Sequence, residues 1–262
     1  MNDADLSEAI RALANARRDG QRLAELPPAW VPGDLASAYA MQRGVAGSLG
    51  EVRGWKVGAV TAVQREAMGV PSPVGGPLLA PWTRQSPARF RSAEFVAPRL
   101  ECEFAFELGK DLPARPGRYA REEVEAAIAA VRIGFEIVDS RLPPQSGFLS
   151  ELADGFNNGG YVIGPSATAL ADVDLADHEI VLTARTGGAP RELARGTGRA
   201  ILNGDLLAAV VMLANAPPHG SAGLRAGQIV TTGSCTGAVA LPGACTVTAD
   251  FGRLGRIEVQ FD

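Results

Sequence analysis

The stretch Arg99-Leu100-Glu101-Cys102-Glu103-Phe104-Ala105-Phe106-Glu107-Leu108 alternates polar and apolar side chains. Successive side chains of a strand point to opposite faces, so the spacing predicts a strand over 99–108. Cys102, Phe104, Phe106 and Leu108 make one face, suited to a core. Glu101 and Glu103 share the other, roughly 6.5–7 Å apart along the backbone. Two like charges that close repel, and a cation between them relieves the repulsion. Taken alone, the segment reads equally well as the wet face of an amphipathic strand, because carboxylates are usually exposed.

Glu136 shifts that balance. It stands in Val131-Arg132-Ile133-Gly134-Phe135-Glu136-Ile137-Val138-Asp139, an otherwise apolar run with the length of a buried strand. Ile133, Phe135 and Ile137 share one face, which leaves Glu136 on the other with Gly134 and Val138. A carboxylate in such a place is costly unless it is paired or bound to a metal. Glu101, Glu103 and Glu136, with no His or Cys able to join them, describe an all-oxygen site suited to Mg²⁺ or Mn²⁺ and not to zinc. Gly54-Trp55-Lys56-Val57-Gly58 sets Lys56 opposite Trp55 and Val57, between glycines that allow another group to approach. A lysine in a short apolar strand commonly snorkels to the surface, so this segment alone does not make Lys56 catalytic.

Working outward, the first 52 residues read as a helical region and residues 53–262 as a β-rich catalytic region. Asp5 and Glu8 have capping-box spacing ahead of Leu6, Ile10 and Leu13, with Gly20 as the stop. A second helix starts near Asp34 and stops at Gly50. Strands are expected at 53–60, 99–108, 133–140, 160–164, 179–184, 228–232, 245–251 and 256–261, between Gly/Pro turns such as 73–77. Helices are expected at 61–68, opened by Thr61 and Gln64, at 122–131, and at 205–214. Many strands and few helices without regular alternation predict an α+β fold built on a mixed, barrel-like sheet.

Composition excludes several classes of function. The chain has 262 residues, 46% of them apolar, which is enough for a substantial core. A net charge of −4 and the lack of a basic cluster argue against nucleic acid and anionic membrane surfaces as partners. No apolar run approaches the ~20 residues of a membrane span, and the acidic opening is unlike a secretory signal. The three cysteines are widely spaced and fit neither a disulfide framework nor a zinc site; a cytoplasmic setting is expected.

With these residues in view, the chain resembles the 2-oxopent-4-enoate (2-keto-4-pentenoate) hydratase/4-oxalocrotonate decarboxylase family, within the wider fumarylacetoacetase-like fold. The resemblance runs over nearly the whole chain. It is carried by Ala38-Tyr39-Ala40-Met41-Gln42, Gly54-Trp55-Lys56-Val57-Gly58, Arg99-Leu100-Glu101-Cys102-Glu103 and Leu108-Gly109-Lys110-Asp111-Leu112. It continues in Glu136-Ile137-Val138-Asp139-Ser140-Arg141, Gly159-Gly160 and Thr232-Gly233-Ser234. The resemblance implies a mixed β-roll with a small N-terminal helical part, assembled into homo-oligomers. It implies that Glu101, Glu103 and Glu136 bind the metal and that Lys56 lies in the active site. It also places the turn at Asn158 and Gly159 near the substrate. Ser234 can line the same pocket as a hydrogen-bond donor. Two departures bear on the substrate: Val74 stands where hydratases carry Asp and decarboxylase-type members are apolar, and Asn157-Asn158 replaces a Ser-Ser pair.

The implied activity is that of a divalent-metal-dependent lyase for small 2-oxo acids of aromatic-compound catabolism. The metal would act as a Lewis acid on the C1 carboxylate and C2 oxygen and stabilise a dienolate. Lys56 would add positive charge there, or relay a proton if burial lowers its pKa. A hydratase and a 4-oxalocrotonate-type decarboxylase share that dienolate. An acylpyruvate C–C hydrolase of the wider fold would need a His–Glu pair. His178 and His219 both read as solvated loop residues with no carboxylate at a catalytic spacing. A non-catalytic paralogue is the remaining alternative, left open by Val74. Gly233-Ser234-Cys235-Thr236-Gly237 lacks the order of a nucleophile elbow. Gly196-Thr197-Gly198 lacks the third glycine of a dinucleotide fingerprint.

Overall fold

The computed structural model describes residues 1–167 and 174–262. In chain order the elements are α1 (Asp3–Asp19), α2 (Leu35–Leu49), β1 (Val52–Gly58), α3 (Ala62–Met68), β2 (Val74–Leu79), β3 (Thr83–Gln85), β4 (Ala88–Phe90) and β5 (Arg99–Leu108). Then come β6 (Leu112–Pro113), α4 (Arg121–Glu125), β7 (Ile128–Val138), α5 (Phe148–Ala153), β8 (Asn158–Ala167), β9 (Glu179–Arg185) and β10 (Arg191–Thr197). The chain ends with α6 (Leu206–Asn215), β11 (Gly223–Leu224), β12 (Ile229–Thr231), β13 (Val239–Ala240), β14 (Cys245–Asp250) and β15 (Arg256–Phe261).

An eight-stranded sheet runs β2-β1-β12-β5-β7-β8-β3, with β13 also paired to β5. A five-stranded sheet runs β10-β9-β14-β15-β4, and β6 pairs with β11. The large sheet mixes parallel pairs, β1 with β12 and β3 with β8, among antiparallel ones. It curls: β2 and the start of β8, far apart along the strand order, touch, and a Cβ on Gly76 would overlap the Gly155 carbonyl.

The convex face carries the main core. Cys102, Phe104 and Phe106 of β5 and Ile133, Phe135 and Ile137 of β7 pack against Ile180, Leu182, Val247 and Ile257 of the second sheet. The apolar face of α6, with Ala209, Val210 and Leu213, closes the same core. A fully buried side chain of this kind contributes about 1.5–3 kcal/mol, so the alternation read along 99–108 is enforced face by face. The concave face holds the carboxylates. The N-terminal helices cover its rim: Ala9, Leu13, Met41 and Val45 pack with Leu142 and Ala153. From α2, the Gln42 amide donates to the carbonyls of Leu152 at 2.7 Å and Gly75 at 3.2 Å, and Tyr39 accepts from the Gly75 N–H at 3.1 Å.

Several local readings hold. Asp34 caps α2, accepting from the Ser37 N–H at 2.8 Å, and Thr61 with Gln64 forms the capping box of α3. Others need correction. The cap of α1 is Asn2, whose side chain accepts from the Asp5 N–H at 2.8 Å, so Asp5 lies inside the first turn. The helix expected over 122–131 ends at Glu125, and β7 begins at Ile128. Pairing of Ile128 with Leu108 and of Val131 with Phe106 overrides the helix propensity of the alanines. Residues 74–79, read in part as a turn, form β2 on the edge beside β1, where Pro77 is tolerated.

Candidate metal centre and active site

β5 and β7 pair with Glu101 directly opposite Glu136 and Glu103 opposite Gly134. Oxygens of Glu101, Glu103 and Glu136 lie within 4.8 Å of one another. Glu103 and Glu136 are each 1% exposed, while Glu101 is half-buried and forms the open side. Lys56, only 8% exposed, brings its ammonium 2.7 Å from Glu136 Oε1, so it does not snorkel to the surface. Three strand spacings of about 4.8 Å separate β1 from β7 in a flat sheet, and only the curl lets one lysine cross that gap.

The surrounding backbone is shaped for close approach. Gly58 and Gly76 flank Lys56, and a Cβ on Gly58 would run into the Phe156 ring. That ring lies 4.8 Å from the Lys56 ammonium. Phe156 and Asn157 both take left-handed conformations, with φ of 58° and 57°, which costs non-glycine residues energy and commonly marks functional turns. The turn is held by the Phe156 N–H on the Glu151 carbonyl at 2.7 Å and the Asp139 N–H on the Asn157 carbonyl at 2.9 Å.

Asn158, 1% exposed, donates its side-chain amide to Glu136 Oε1 at 3.2 Å. Gly159 follows it, packed on Ile137 and Asp139 with no room for a Cβ. Across the site the Gly233 N–H donates to Glu103 Oε2 at 3.2 Å, and the neighbouring Ser234 hydroxyl is buried without a partner among the described residues. The structure thus brings the Asn158 and Gly233-Ser234 segments to the carboxylates from opposite sides.

Charge crowding shows in the titration of the cluster. Burial, reinforced by Glu136, pushes the Glu101 carboxyl up to about 7. Burial and then the charges of Glu136 and Glu101 push Glu103 well above the usual carboxylate range. For Lys56, burial acts downward, but the charges of Glu136, Glu101 and Glu103 outweigh it and hold the ammonium above its ordinary value. With no cation bound, Lys56 is therefore held charged beside these carboxylates, against the neutral lysine that burial alone would favour. When all three carboxylates are ionised, the one ammonium leaves two negative charges uncompensated, which a divalent cation would neutralise.

That donor set fits a hard divalent cation. One oxygen of Glu136 is engaged by Lys56 and Asn158, and one oxygen of Glu103 by the Gly233 N–H, which fixes each carboxylate and leaves its second oxygen available. The Tyr161 hydroxyl, fully buried among these charges, also has no partner among the described residues. Burial first, and then Glu103 and Glu136, push its ionisation well above the ordinary value, so it stays a neutral donor.

Sequence reasoning missed Tyr161, Phe156 and Arg17. Tyr161 sits opposite Glu136 on β8, and its hydroxyl fills the space a side chain at Gly134 would need. A glycine in an apolar strand was the available signal. The histidines fall elsewhere. His219 is exposed, but His178 is partly buried, its ring 6.0 Å from Phe104 and its Nε2 on the Phe251 carbonyl. It is a packed histidine and not a solvated one, on the face of β5 opposite the glutamates. Among the described residues the glutamate cluster contains no histidine.

No protein-family model matches the chain. It is 32% identical over 267 residues to the 2-keto-4-pentenoate hydratase of Paraburkholderia phymatum, covering 100% of this chain and 99% of the relative. It is 31% identical over 205 residues to a 4-oxalocrotonate decarboxylase of a Pseudomonas species, covering 78% of this chain and 76% of that protein. Among solved structures, the 4-oxalocrotonate decarboxylase of Pseudomonas putida G7, complexed with magnesium and adipate, superposes with a TM-score of 0.84 at 22% identity. That superposition covers 100% of this chain and 99% of the other, so the two share a fold. The chain belongs to the 2-keto-4-pentenoate hydratase/4-oxalocrotonate decarboxylase family.

Proposed function

We propose that this protein is a divalent-metal-dependent lyase for small 2-oxo acids, acting in the manner of a 2-keto-4-pentenoate hydratase. The observation that carries the reading is the buried carboxylate cluster, which once ionised is two charges short of neutrality, in a chain whose relatives are lyases. Glu101, Glu103 and Glu136 are the residues that would hold Mg²⁺ or Mn²⁺. Such an ion, when bound, supplies Lewis acidity toward the oxygens of a 2-oxo acid.

The remaining chemistry belongs to the chain. Lys56, held charged, stabilises negative charge that develops on the substrate. Asn158 fixes Glu136, and the Gly159 segment and Ser234 orient the substrate's polar end. The Phe156 ring and the surrounding apolar side chains exclude water from the Lys56–Glu136 pair, which strengthens its field.

One observation favours decarboxylation as a second reading. Val74 is 1% exposed and packed among Ala38, Tyr39, Ala59, Val70, Leu152 and Phe156, so that position offers no group to deliver water. The hydrolase alternative lacks its histidine. We further propose a cytoplasmic homo-oligomer, with the helical 1–52 region and the β-rich 53–262 region working as one catalytic unit. A mass measurement in solution that gives a monomer would remove the oligomer from this reading.

The deciding experiment is incubation with 2-hydroxypenta-2,4-dienoate and with 2-oxohex-3-enedioate, each with and without Mg²⁺ or Mn²⁺, followed by product identification. Metal-dependent hydration of the first supports the main reading, and metal-dependent CO₂ release from the second supports the alternative. No turnover of either, with no exchange of C3 protons in simple 2-oxo acids, would make the protein a non-catalytic paralogue.

A further inference from the structure

The β7–β8 register slips between Ile137 and Val138, so β8 opens on an irregular step at Asn158 and Gly159. Bulges of this kind re-aim side chains beside active sites, and here the step turns the Asn158 amide toward Glu136. Its backbone carbonyls face the helical region. The Asn158 carbonyl accepts from Arg17 and, at 3.0 Å, from Arg141; the Gly159 carbonyl accepts from Arg17 at 2.9 Å. Arg141 also donates to the carbonyls of Asp139 at 2.8 Å and Asp154 at 2.7 Å, and pairs with the Asp154 carboxylate at 2.9 Å.

Arg17 comes from α1, far from the site in sequence, and is only 5% exposed. Its guanidinium centre lies 4.5 Å over the Trp82 ring. Burying that charge is costly, and the charge of Arg141 beside it adds to the cost. A helix could be docked on this surface by apolar contacts alone, as Ala9 and Leu13 already do. The guanidinium is instead placed on two carbonyls of the one step that aims Asn158.

We propose that Arg17 is a positioning residue of the active site. It pins the step at the start of β8 so that the Asn158 amide meets Glu136, which in turn meets Lys56. A planar fork holds two adjacent carbonyls in a fixed geometry, whereas an ammonium is a point charge with rotatable donors on a flexible stem.

The test is Arg17→Lys, compared with Asn158→Ala and the double variant, each with folding checked by circular dichroism. In the metal-free protein the Asn158 side-chain amide signal, identified by its loss in Asn158→Ala, is expected to shift in Arg17→Lys. Mn²⁺ binding should weaken about tenfold and kcat fall about tenfold with KM within about twofold, the size seen for outer partners of a metal ligand. In the Asn158→Ala background Arg17→Lys should change Mn²⁺ affinity no further, since the two act in series. Should Arg17→Lys not fold, Trp82→Leu, which loosens the guanidinium without removing it, is expected to move the same signals less. Unchanged amide signal, Mn²⁺ affinity and kcat with only a lower Tm would reduce Arg17 to a fastener of α1, and so would independent effects in the double variant. The binding arm rests on Glu136 as a metal ligand; if the wild type binds no Mn²⁺, that reading fails while the Asn158 amide signal still decides the role of Arg17.

Discussion

Glu103 is buried in the cluster and anchored at one oxygen by the Gly233 N–H. Glu103→Gln keeps its shape and removes its charge. Outer partners of metal ligands cost about 10–100-fold, so loss of a ligand should lower metal-dependent turnover by more than about 100-fold, read from initial rates with a parallel Mn²⁺ titration. Wild-type rates in that variant would sink the assignment. Lys56→Met separates chemistry from metal holding. It leaves Glu136 Oε1 with Asn158 alone and removes the fixed charge, so turnover should fall by roughly 10²–10³ while Mn²⁺ still binds. Equal loss of binding and turnover would make Lys56 a structural counter-ion. These carboxylates could be found from residue types and spacing. The burial of Lys56 could not, since its neighbour Glu136 lies eighty positions away and outweighs desolvation only once both are packed together.

Between β5 and β7, burial and neighbouring charge act on Glu101 and Glu103 together. With no cation bound, Glu101 is raised to about 7 and Glu103 well above its ordinary value, so the folded chain takes up protons that the unfolded chain would release. Stability of the metal-free protein should therefore fall as pH rises from the ordinary carboxylate range through about 7. A divalent ion has to displace those protons, so its affinity should rise over the same interval and its binding should release protons. Tm in EDTA and in Mg²⁺ at pH 6 and pH 8 checks both signs: the gap between the two should widen at pH 8. Calorimetry in buffers of different ionisation enthalpy counts the protons. The same pair of strands constrains Gly134, over which the Tyr161 hydroxyl lies. Gly134→Ala should cost about 1–3 kcal/mol by denaturant unfolding, as overpacking does; an unchanged midpoint would mean that Tyr161 swings away freely.

Across the whole molecule, metal saturation should raise stability by mass action. An ion at a hundred times its Kd adds about 2.7 kcal/mol. In a chain of this size that amounts to a Tm rise of about 5–10 °C, lost again on chelation. A metal-independent Tm at pH 8 would contradict the site. The sequence by itself determined the strand at 99–108, the face on which Glu101 and Glu103 sit, the buried strand around Glu136 and the caps at Asp34 and Thr61. Each of these depends on neighbours a few positions away, through side-chain period or a local hydrogen bond. Only the tertiary structure decided that β7 starts at Ile128, where pairing with β5 overrides an alanine-rich helix, and that residues 74–79 form an edge strand. It also decided the charge on Lys56, the place of Tyr161 over Gly134 and the reach of Arg17 into the β8 step. Those features depend on the curl of the large sheet, which brings β1, β7 and β8 to one point, and a curl summed over many strand pairs leaves no local mark in the sequence.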